Sequence, residues 1–200
     1  FNDDIQGTAA VAVAATMAAS RARGERLSDQ RITILGAGAA GVGIASQLRH
    51  ALVRDGLDAD AAAAKIAMLD SRGLLRSSDG ISDSYKLPFA MPQELAESLG
   101  LDGSPRPDLD RVVTAFKPTV LIGTSGQPGV FTRGIVEEMH KHCARPAIFP
   151  FSNPTAMSEA VPADLLAWTD SAALIATGSP FEAVRHAGRS LNVRYASREQ

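Results

Sequence analysis

Residues 32–41 read ITILGAGAAG. Its first four residues are aliphatic or β-branched and predict a short buried strand, and a glycine-rich segment that opens a helical pattern follows at once. In a G-x-G-x-x-G turn between a strand and a helix, the glycines let the backbone approach a pyrophosphate. The N–H groups at the start of the helix then point at the phosphates. The stretch therefore predicts a dinucleotide-binding strand–turn–helix unit.

Apolar runs of strand length recur along the chain and alternate with helical patterns. After the first strand, the predicted strands lie at residues 66–69, 119–122, 147–151 and 173–177. This alternation is typical of a parallel sheet wound with helices. We therefore predict an α/β fold of the Rossmann type, with a doubly wound, mostly parallel sheet and helices on both faces. Residues 1–200 are predicted to form a single dinucleotide-binding domain, which the family resemblance described below specifies as NAD(P)-binding.

Several segments between the strands have a predicted structure of their own. Helices are expected at residues 108–116 and 133–142, with Thr132 as the cap of the second. Residues 53–64 are charged and alanine-rich, and we expect them to extend the preceding helix along the surface. Residues 76–86 are predicted to be a loop, and the segment around Pro105 and Pro107 an exposed turn.

Composition and charge exclude several classes of function. The 200 residues are 45% hydrophobic and carry a formal net charge of −2, so we expect a globular domain that binds neither nucleic acid nor membranes. The single cysteine, Cys143, excludes an internal disulfide and fits a cytoplasmic location. The apolar run at residues 9–19 follows two acids and is too short to span a bilayer, so no targeting segment is expected.

Glycine or short polar residues follow every predicted strand. They are GAG at 36–38, DSR at 70–72, GTS at 123–125, SNP at 152–154 and GSP at 178–180. Loops need such residues merely to turn, so one strand end alone decides nothing. Ligands of open parallel sheets bind outside the carboxyl ends of the strands, and five such ends together predict a ligand site. Asp70, at one of these ends, can accept hydrogen bonds from an adenosine ribose.

Two adjacent carboxylates, Asp3 and Asp4, stand before a helix that is apolar on all sides and is therefore predicted to be buried. Capping the helix and matching its dipole need only one acid. Neighbouring carboxylates repel each other, so the pair favours a cation within reach, either a metal ion or a lysine.

Six stretches together resemble the cofactor-binding domain of malic enzymes. In chain order they are FNDDIQGTA, ILGAGAAGVGIA, LDSRGLL, KPTVLIGTSGQPGVFT, RPAIFPFSNPTAMSE and IATGSPF, which extend to about Phe181. Malic enzymes oxidise malate and decarboxylate it to pyruvate. The resemblance implies an NAD(P)- and divalent-metal-dependent oxidative decarboxylation of L-malate to pyruvate and CO₂, with Mg²⁺ or Mn²⁺ as the metal.

The resemblance also implies roles for individual residues. Asp4 matches a carboxylate ligand of the metal, and Asp3 matches a catalytic acid that pairs with the catalytic lysine. Asn153 matches a residue beside the nicotinamide and the substrate. The other cofactor contacts that the resemblance implies are Thr8, Gly36, Ala37, Gly38, Ala39, Ala40, Gly41 and Asp70.

Three residues bear on the choice between NADP and NAD. Ser71 and Arg72 directly follow Asp70, and Lys86 matches a lysine that NADP-dependent members place near the 2′-phosphate. The two cations could offset both Asp70 and a phosphate dianion. We therefore predict NADP in preference to NAD, although both cations could instead be solvated surface charges.

The family's catalytic lysine, tyrosine acid and remaining metal carboxylates have no counterpart in the chain. We therefore expect it to belong to a longer enzyme, to be inactive on malate by itself, and to form a homo-oligomer, a dimer or tetramer, as part of the whole protein. Two alternatives stay open. One is a nicotinamide-dependent dehydrogenase of the amino-acid type, which needs no metal, and the other is a non-catalytic dinucleotide-sensing module.

Overall fold

A computed structural model describes the backbone of residues 3–186, 189–191 and 194–195 and the side chains of residues 5–184. The helices are α1 (Asp3–Arg23), α2 (Ala39–Arg54), α3 (Ala59–Ala64), α4 (Gln93–Ser98), α5 (Leu109–Phe116), α6 (Arg133–His142) and α7 (Pro162–Trp168). The strands are β1 (Ile32–Leu35), β2 (Ile66–Asp70), β3 (Gly73–Leu74), β4 (Val120–Gly123), β5 (Ala147–Pro150), β6 (Leu174–Thr177), β7 (Val184–His186), β8 (Arg189–Leu191) and β9 (Arg194–Tyr195). Short 3₁₀ helices lie at Leu27–Asp29, Ser84–Phe89 and Thr155–Met157.

The main sheet has the order β3-β2-β1-β4-β5-β6-β9. Its strands are parallel except β3, which pairs antiparallel with β2, while β7 and β8 form a separate two-stranded sheet. The chain progresses from β1 toward one edge and then returns to build the other half from β4. The predicted Rossmann-type α/β fold is confirmed, and the five predicted strands are found within two residues of their expected ends.

The central strands form because both of their faces are covered. All residues of β1, β4 and β5 are buried, and apart from Thr33 in β1 these strands are apolar throughout, without polar alternation. Alternate side chains enter opposite cores: Ile32 and Ile34 join the core under α1 and α2, whereas Leu35 joins the core under α5 and α6. This two-sided burial fixes the strand ends that carry the site.

Two predictions about helices need correction. Helix α1 is buried on one side only, with Ala9 and Ala12 fully buried and Met17 37% exposed, because it packs mainly against α2. Residues after α2 do not simply extend it. The chain turns at Gly56 (φ +107°), and Asp58 caps the separate helix α3 by accepting a hydrogen bond from the N–H of Ala61 at 2.7 Å.

Other local predictions are confirmed. Thr132 caps α6, whose bounds agree with those predicted, and the predicted helix at residues 108–116 is α5. The helices in the part of the chain that the structure describes are all too short or too polar to cross a membrane.

The cap of α5 gives a measurable contribution to stability. Asp108 accepts a hydrogen bond from the N–H of Arg111 at 3.0 Å. We expect Asp108→Ala to lower the free energy of unfolding by about 1 kcal/mol, because an N–H at the helix start loses its partner. Urea unfolding measures this. Asp102→Ala, which removes the same charge from an exposed residue outside the helices, is the control and should change stability by less than about 0.5 kcal/mol. Equal effects of the two substitutions would contradict a capping role.

Candidate functional site

The candidate site lies where the strand order reverses, at the carboxyl ends of β1 and β4. The two strands are neighbours, with Leu35 beside Gly123, and the chain leaves them in opposite directions. Such a reversal opens a crevice between the two departing segments, and ligands of open α/β sheets bind there. All five predicted polar strand ends stand side by side along this edge, in the order β2, β1, β4, β5 and β6.

The glycine turn after β1 is shaped by close backbone contacts. Gly36 has φ +114°, and a Cβ there would lie 2.6 Å from the carbonyl oxygen of Thr124. A Cβ on Gly41 would lie 1.8 Å from the carbonyl oxygen of Gly36. The hydroxyl of Thr124 donates to that same oxygen at 3.1 Å. The first and last glycines of the motif are therefore required by the fold of the turn itself.

The middle glycine has a different role. A Cβ on Gly38 would meet nothing within 4 Å, and its backbone is extended, with φ −83° and ψ −171°. The residue is the N-cap of α2, so the N–H groups of the first helical turn, including those of Ala39 and Ala40, have no acceptor within the helix and lie next to this open space. An open space in front of a helix N-terminus fits a pyrophosphate, and Gly38 keeps it free of side-chain atoms.

Asp70 lies at the end of β2, and one of its two carboxylate oxygens accepts hydrogen bonds from the protein. Its Oδ1 accepts from the N–H of Arg72 at 2.9 Å and from Nη2 of Arg106 at 2.8 Å. Its Oδ2 lies 3.8 Å from both Nη2 of Arg72 and Nζ of Lys86. The side chain is only 8% exposed. One oxygen is thus held in place while the other remains able to accept from a ribose hydroxyl.

Arg106 was not identified from the sequence as a site residue. The prediction of an exposed turn around Pro105 and Pro107 is wrong for Arg106, whose side chain is mostly buried, and for Pro107, which is buried. The side chain of Arg106 is 13% exposed, and the guanidinium donates to Asp70 and to the carbonyl oxygens of Gly73 and Leu74. The segment can approach because Gly73 has φ +107°, and a Cβ there would lie 2.6 Å from the carbonyl oxygen of Pro107. Gly73, directly after Arg72, was the one local sign of this contact.

The predicted loop at residues 76–86 ends earlier than expected, because a 3₁₀ helix begins at Ser84, and the loop makes buried ion-pair contacts. Arg76 is 6% exposed and pairs with Asp79 at 2.8 Å. Asp79 in turn lies 3.3 Å from Nε of Arg106. The charges beside β2 therefore form one connected group.

Lys86 belongs to the same group and is not a solvated surface charge. Its Nζ lies 2.7 Å from Asp83 and 3.8 Å from Asp70, and the side chain is 13% exposed. The hydrogen bond to Asp83 raises the pKa of Lys86 above its ordinary value of 10.5, and Asp70 adds to the effect. Arg72, by contrast, is 59% exposed.

The raised pKa gives a pH prediction. Because Lys86 gains its partners on folding, its contribution to stability is complete below the ordinary pKa of 10.5 and is lost as the pH rises through the higher folded value. We expect Lys86→Met to lower the free energy of unfolding equally at about pH 7 and about pH 9, with a smaller difference only above about pH 10.5. Urea unfolding at each pH tests this.

A matched control is Lys141→Met. The pKa of Lys141 is also raised by a hydrogen bond, which its ammonium group donates to Glu138, but the side chain of Lys141 is 71% exposed. We expect a smaller loss of stability at every pH. A Lys86 contribution that already shrank between about pH 7 and about pH 9 would contradict the ion pairs described above.

The remaining predicted residues lie around this edge. Asn153 is exposed at the turn after β5, and Ser71 is exposed at the β2–β3 turn. Thr8 is half-buried in α1, one turn beyond Ile5, which packs against Gly43 of α2. The side chains of Asp3 and Asp4 lie outside the described residues, so the catalytic and metal roles of these two acids stay predictions. Among the side chains of residues 5–184, no three potential metal ligands are grouped.

Comparison with known proteins identifies the family. The family model described as "Malic enzyme, NAD binding domain" matches residues 5–197. The chain belongs to this family.

Two curated malic enzymes illustrate the likeness. An NAD-dependent malic enzyme of Sodalis glossinidius is 48% identical over 190 residues, which are 95% of this chain and 34% of that protein. NAD-dependent malic enzyme 1 of Vibrio vulnificus is 47% identical over the same length and coverage. This chain therefore spans about a third of the length of the curated relatives that it matches.

A solved malic enzyme has the same fold. The NAD-dependent malic enzyme of Thermotoga maritima superposes with a TM-score of 0.66 at 24% identity, over 92% of this chain and 42% of that one. Its similarity at this identity supports the fold assignment. The family resemblance predicted from the six sequence stretches is confirmed.

Proposed function

We propose that this chain is the cofactor-binding domain of a longer malic enzyme, which oxidises L-malate and decarboxylates it to pyruvate and CO₂. The observation that carries the proposal is the 48% identity, over 95% of the chain, to a protein named NAD-dependent malic enzyme. The crevice supports it, since its open helix N-terminus and oriented carboxylate fit a dinucleotide.

The chain's own residues would bind and orient the cofactor. The turn from Gly36 to Gly41 would hold the pyrophosphate at the start of α2, and Asp70 Oδ2 would accept from the adenosine ribose. The nicotinamide would then extend past β4 toward β5 and Asn153, because these strand ends come next along the same edge. When bound, the dinucleotide supplies the acceptor for the hydride of malate.

We propose NAD as the preferred cofactor, because the relatives are named NAD-dependent malic enzymes and because Lys86, a cation near Asp70, is already paired with carboxylates. Asp70 is a ribose acceptor, and the charge of Lys86 is engaged by Asp83 as well as by Asp70. Arg72 is the argument for NADP, because its exposed guanidinium could reach a 2′-phosphate. The sequence-based preference for NADP thus remains a prediction that a direct comparison of the two cofactors decides.

We further propose that Mg²⁺ or Mn²⁺ is required and that Asp4 supplies one carboxylate ligand, with Asp3 pairing to a lysine. Such an ion would polarise the carbonyl that forms as malate is oxidised. Asp4→Asn is expected to abolish metal-dependent turnover while leaving dinucleotide affinity unchanged, which distinguishes a metal role from a cofactor role.

The test uses the complete gene product with L-malate, NAD⁺ or NADP⁺, and either Mn²⁺ or EDTA. We expect pyruvate and reduced cofactor in equal amounts, with the metal only, and faster with NAD⁺. Metal-independent oxidation of an amino acid would instead indicate a dehydrogenase of the amino-acid type. Dinucleotide binding without any turnover would indicate a sensing module.

We also propose that the whole protein is a cytoplasmic homo-oligomer, a dimer or tetramer, whose partners are malate and pyruvate rather than nucleic acid or membranes. Light scattering of the complete gene product measures the oligomeric state. Fractionation of the cells that make it measures the location.

A further inference from the structure

Glu159 is a completely buried carboxylate, 0% exposed, between the 3₁₀ helix at Thr155–Met157 and α7. Its Oε1 accepts three hydrogen bonds: from the N–H of Ser125 at 2.8 Å, from the hydroxyl of Ser125 at 2.9 Å and from the hydroxyl of Ser152 at 2.5 Å. Its Oε2 accepts from the N–H of Ser152 at 3.3 Å. All four donors belong to the turns after β4 and β5.

The two hydroxyl groups extend this network into the backbone. The hydroxyl oxygen of Ser152 accepts from the N–H of Gly126 at 2.9 Å, and that of Ser125 accepts from the N–H of Gln127 at 3.2 Å. Each hydroxyl therefore accepts from the backbone and donates its own hydrogen to Glu159. The carboxylate orients both serines and, through them, the backbone of residues 125–127.

Burying a carboxylate is unfavourable unless it is paired or fully hydrogen-bonded. In the part of the chain that the structure describes, no lysine, arginine or histidine forms an ion pair with Glu159. The fold also makes room for it, because a Cβ on Gly123 would lie 2.5 Å from Cδ of Glu159. A charge held by hydrogen bonds alone, in a space kept free by a glycine, is an unusual arrangement for a residue that only fills the core.

The connected turns border one half of the crevice. The turn after β4 begins at Thr124, which holds the glycine turn through Gly36, and the turn after β5 carries Asn153 directly after Ser152. Asp70 lies at the other half, two strands away from β4 across the sheet. Glu159 thus connects the segments that border the proposed nicotinamide half. Among the described residues, its side-chain hydrogen bonds go to Ser125 and Ser152 and none goes to Asp70 or the glycine turn.

We propose that Glu159 is a positioning residue that sets the separation of residues 124–127 and 152–154 and thereby the placement of the nicotinamide. The inference rests on the proposed function, because the nicotinamide half is assigned from it. Glu159 acts through the two turns, so its loss affects the nicotinamide end of the cofactor and leaves the adenosine end bound as before.

The test compares a whole cofactor with its adenosine half. In the complete gene product, Glu159→Gln keeps the size of the side chain but places an NH₂ group opposite N–H or O–H donors. We expect kcat with malate to fall about tenfold or more and NAD⁺ affinity to fall about tenfold, with ADP-ribose affinity unchanged within about twofold. Calorimetry gives both affinities, and steady-state kinetics gives kcat and KM separately.

Two variants make the result interpretable. Gly123→Ala leaves the carboxylate in the protein but displaces it through the contact at Cδ, so it should reproduce the split between NAD⁺ and ADP-ribose even where Glu159→Gln folds poorly. Ser158→Ala removes a buried hydroxyl that donates to the carbonyl oxygen of Ala160 at 2.9 Å, in the same segment but outside the network. It should leave both affinities and kcat unchanged.

The outcomes separate this inference from the proposed function. Equal losses of NAD⁺ and ADP-ribose affinity, or no loss at all, in Glu159→Gln and Gly123→Ala would overturn the positioning role. A wild-type protein that bound NAD⁺ but did not oxidise malate would overturn the proposed function, and the affinity split would still decide the role of Glu159. A wild-type protein that bound no dinucleotide would overturn both.

Discussion

Replacing Gly41 by alanine is expected to lower the free energy of unfolding by about 3 kcal/mol and to weaken dinucleotide binding at least about 100-fold. The reason is the 1.8 Å distance between the new Cβ and the carbonyl oxygen of Gly36. Neither backbone segment can yield alone, because Gly36 also accepts from Thr124 and Gly41 is within α2. The turn and the start of the helix must move apart, and the N–H groups proposed to bind the phosphates move with the helix.

The matched variant Gly38→Ala is expected to separate the two effects. Its Cβ meets no protein atom within 4 Å, and its backbone suits alanine, so stability should change by less than about 1 kcal/mol. The same Cβ would enter the space assigned to the pyrophosphate, and binding should fall about 100-fold. Urea unfolding and NAD⁺ titration of both variants measure this contrast.

Gly134→Ala is the control for substituting glycine as such. Gly134 is an exposed residue of α6, and a Cβ there meets nothing within 4 Å. We expect a stabilisation of about 0.5 kcal/mol or more and unchanged binding. If Gly38→Ala bound NAD⁺ as well as the wild type does, the pyrophosphate could not lie in front of α2 as proposed.

Removing Arg106 is expected to have the second largest effect. Arg106→Leu should lower the free energy of unfolding by about 3 kcal/mol, because a mostly buried carboxylate, Asp70, loses its closest cation and two carbonyl oxygens lose a donor. NAD⁺ affinity should fall about tenfold, since Asp70 is no longer oriented toward the ribose. Both values come from the same unfolding and titration experiments.

Arg72→Leu is the matched control, since it also removes one positive charge from the neighbourhood of Asp70. Its guanidinium is 59% exposed and 3.8 Å from Asp70, so we expect a stability change within about 0.5 kcal/mol. Arg106→Lys keeps the charge but loses the planar fork and should lie between the two. Similar losses in the Arg72 and Arg106 variants would show that only net charge, and not the geometry at Asp70, matters to this site.

The sequence predicted those parts of the fold that depend on neighbouring residues. The strand at residues 32–35, the glycine turn and the capped helix after Thr132 each follow from residues within a few positions of one another. The Asp70 carboxylate was predicted on the same basis, as the residue that ends a strand beside the glycine turn. These elements carry the dinucleotide crevice.

The parts that were not predicted depend on contacts between distant residues. Arg106 reaches Asp70 across 36 residues, and Glu159 reaches Ser125 across 34. Neither has a local pattern of its own, and the proline residues beside Arg106 favoured an exposed turn. The one-sided burial of α1 was missed for a related reason, since a helix of small apolar residues has no periodicity that shows which side meets a neighbour.

The pairing of β1 with β4 also determines when the crevice can form. The hydrogen bond between Thr124 and Gly36 joins residues 88 positions apart, and the glycine turn has no wall on that side until β4 is in place. Contacts of such long range are slow to form, because the intervening chain must first be ordered. During synthesis from the N-terminus, β1 is therefore made long before the strand that completes its binding edge. The edge of β1 that will receive β4 is exposed for that whole interval, and it is the place where a delayed chain would first associate with another copy.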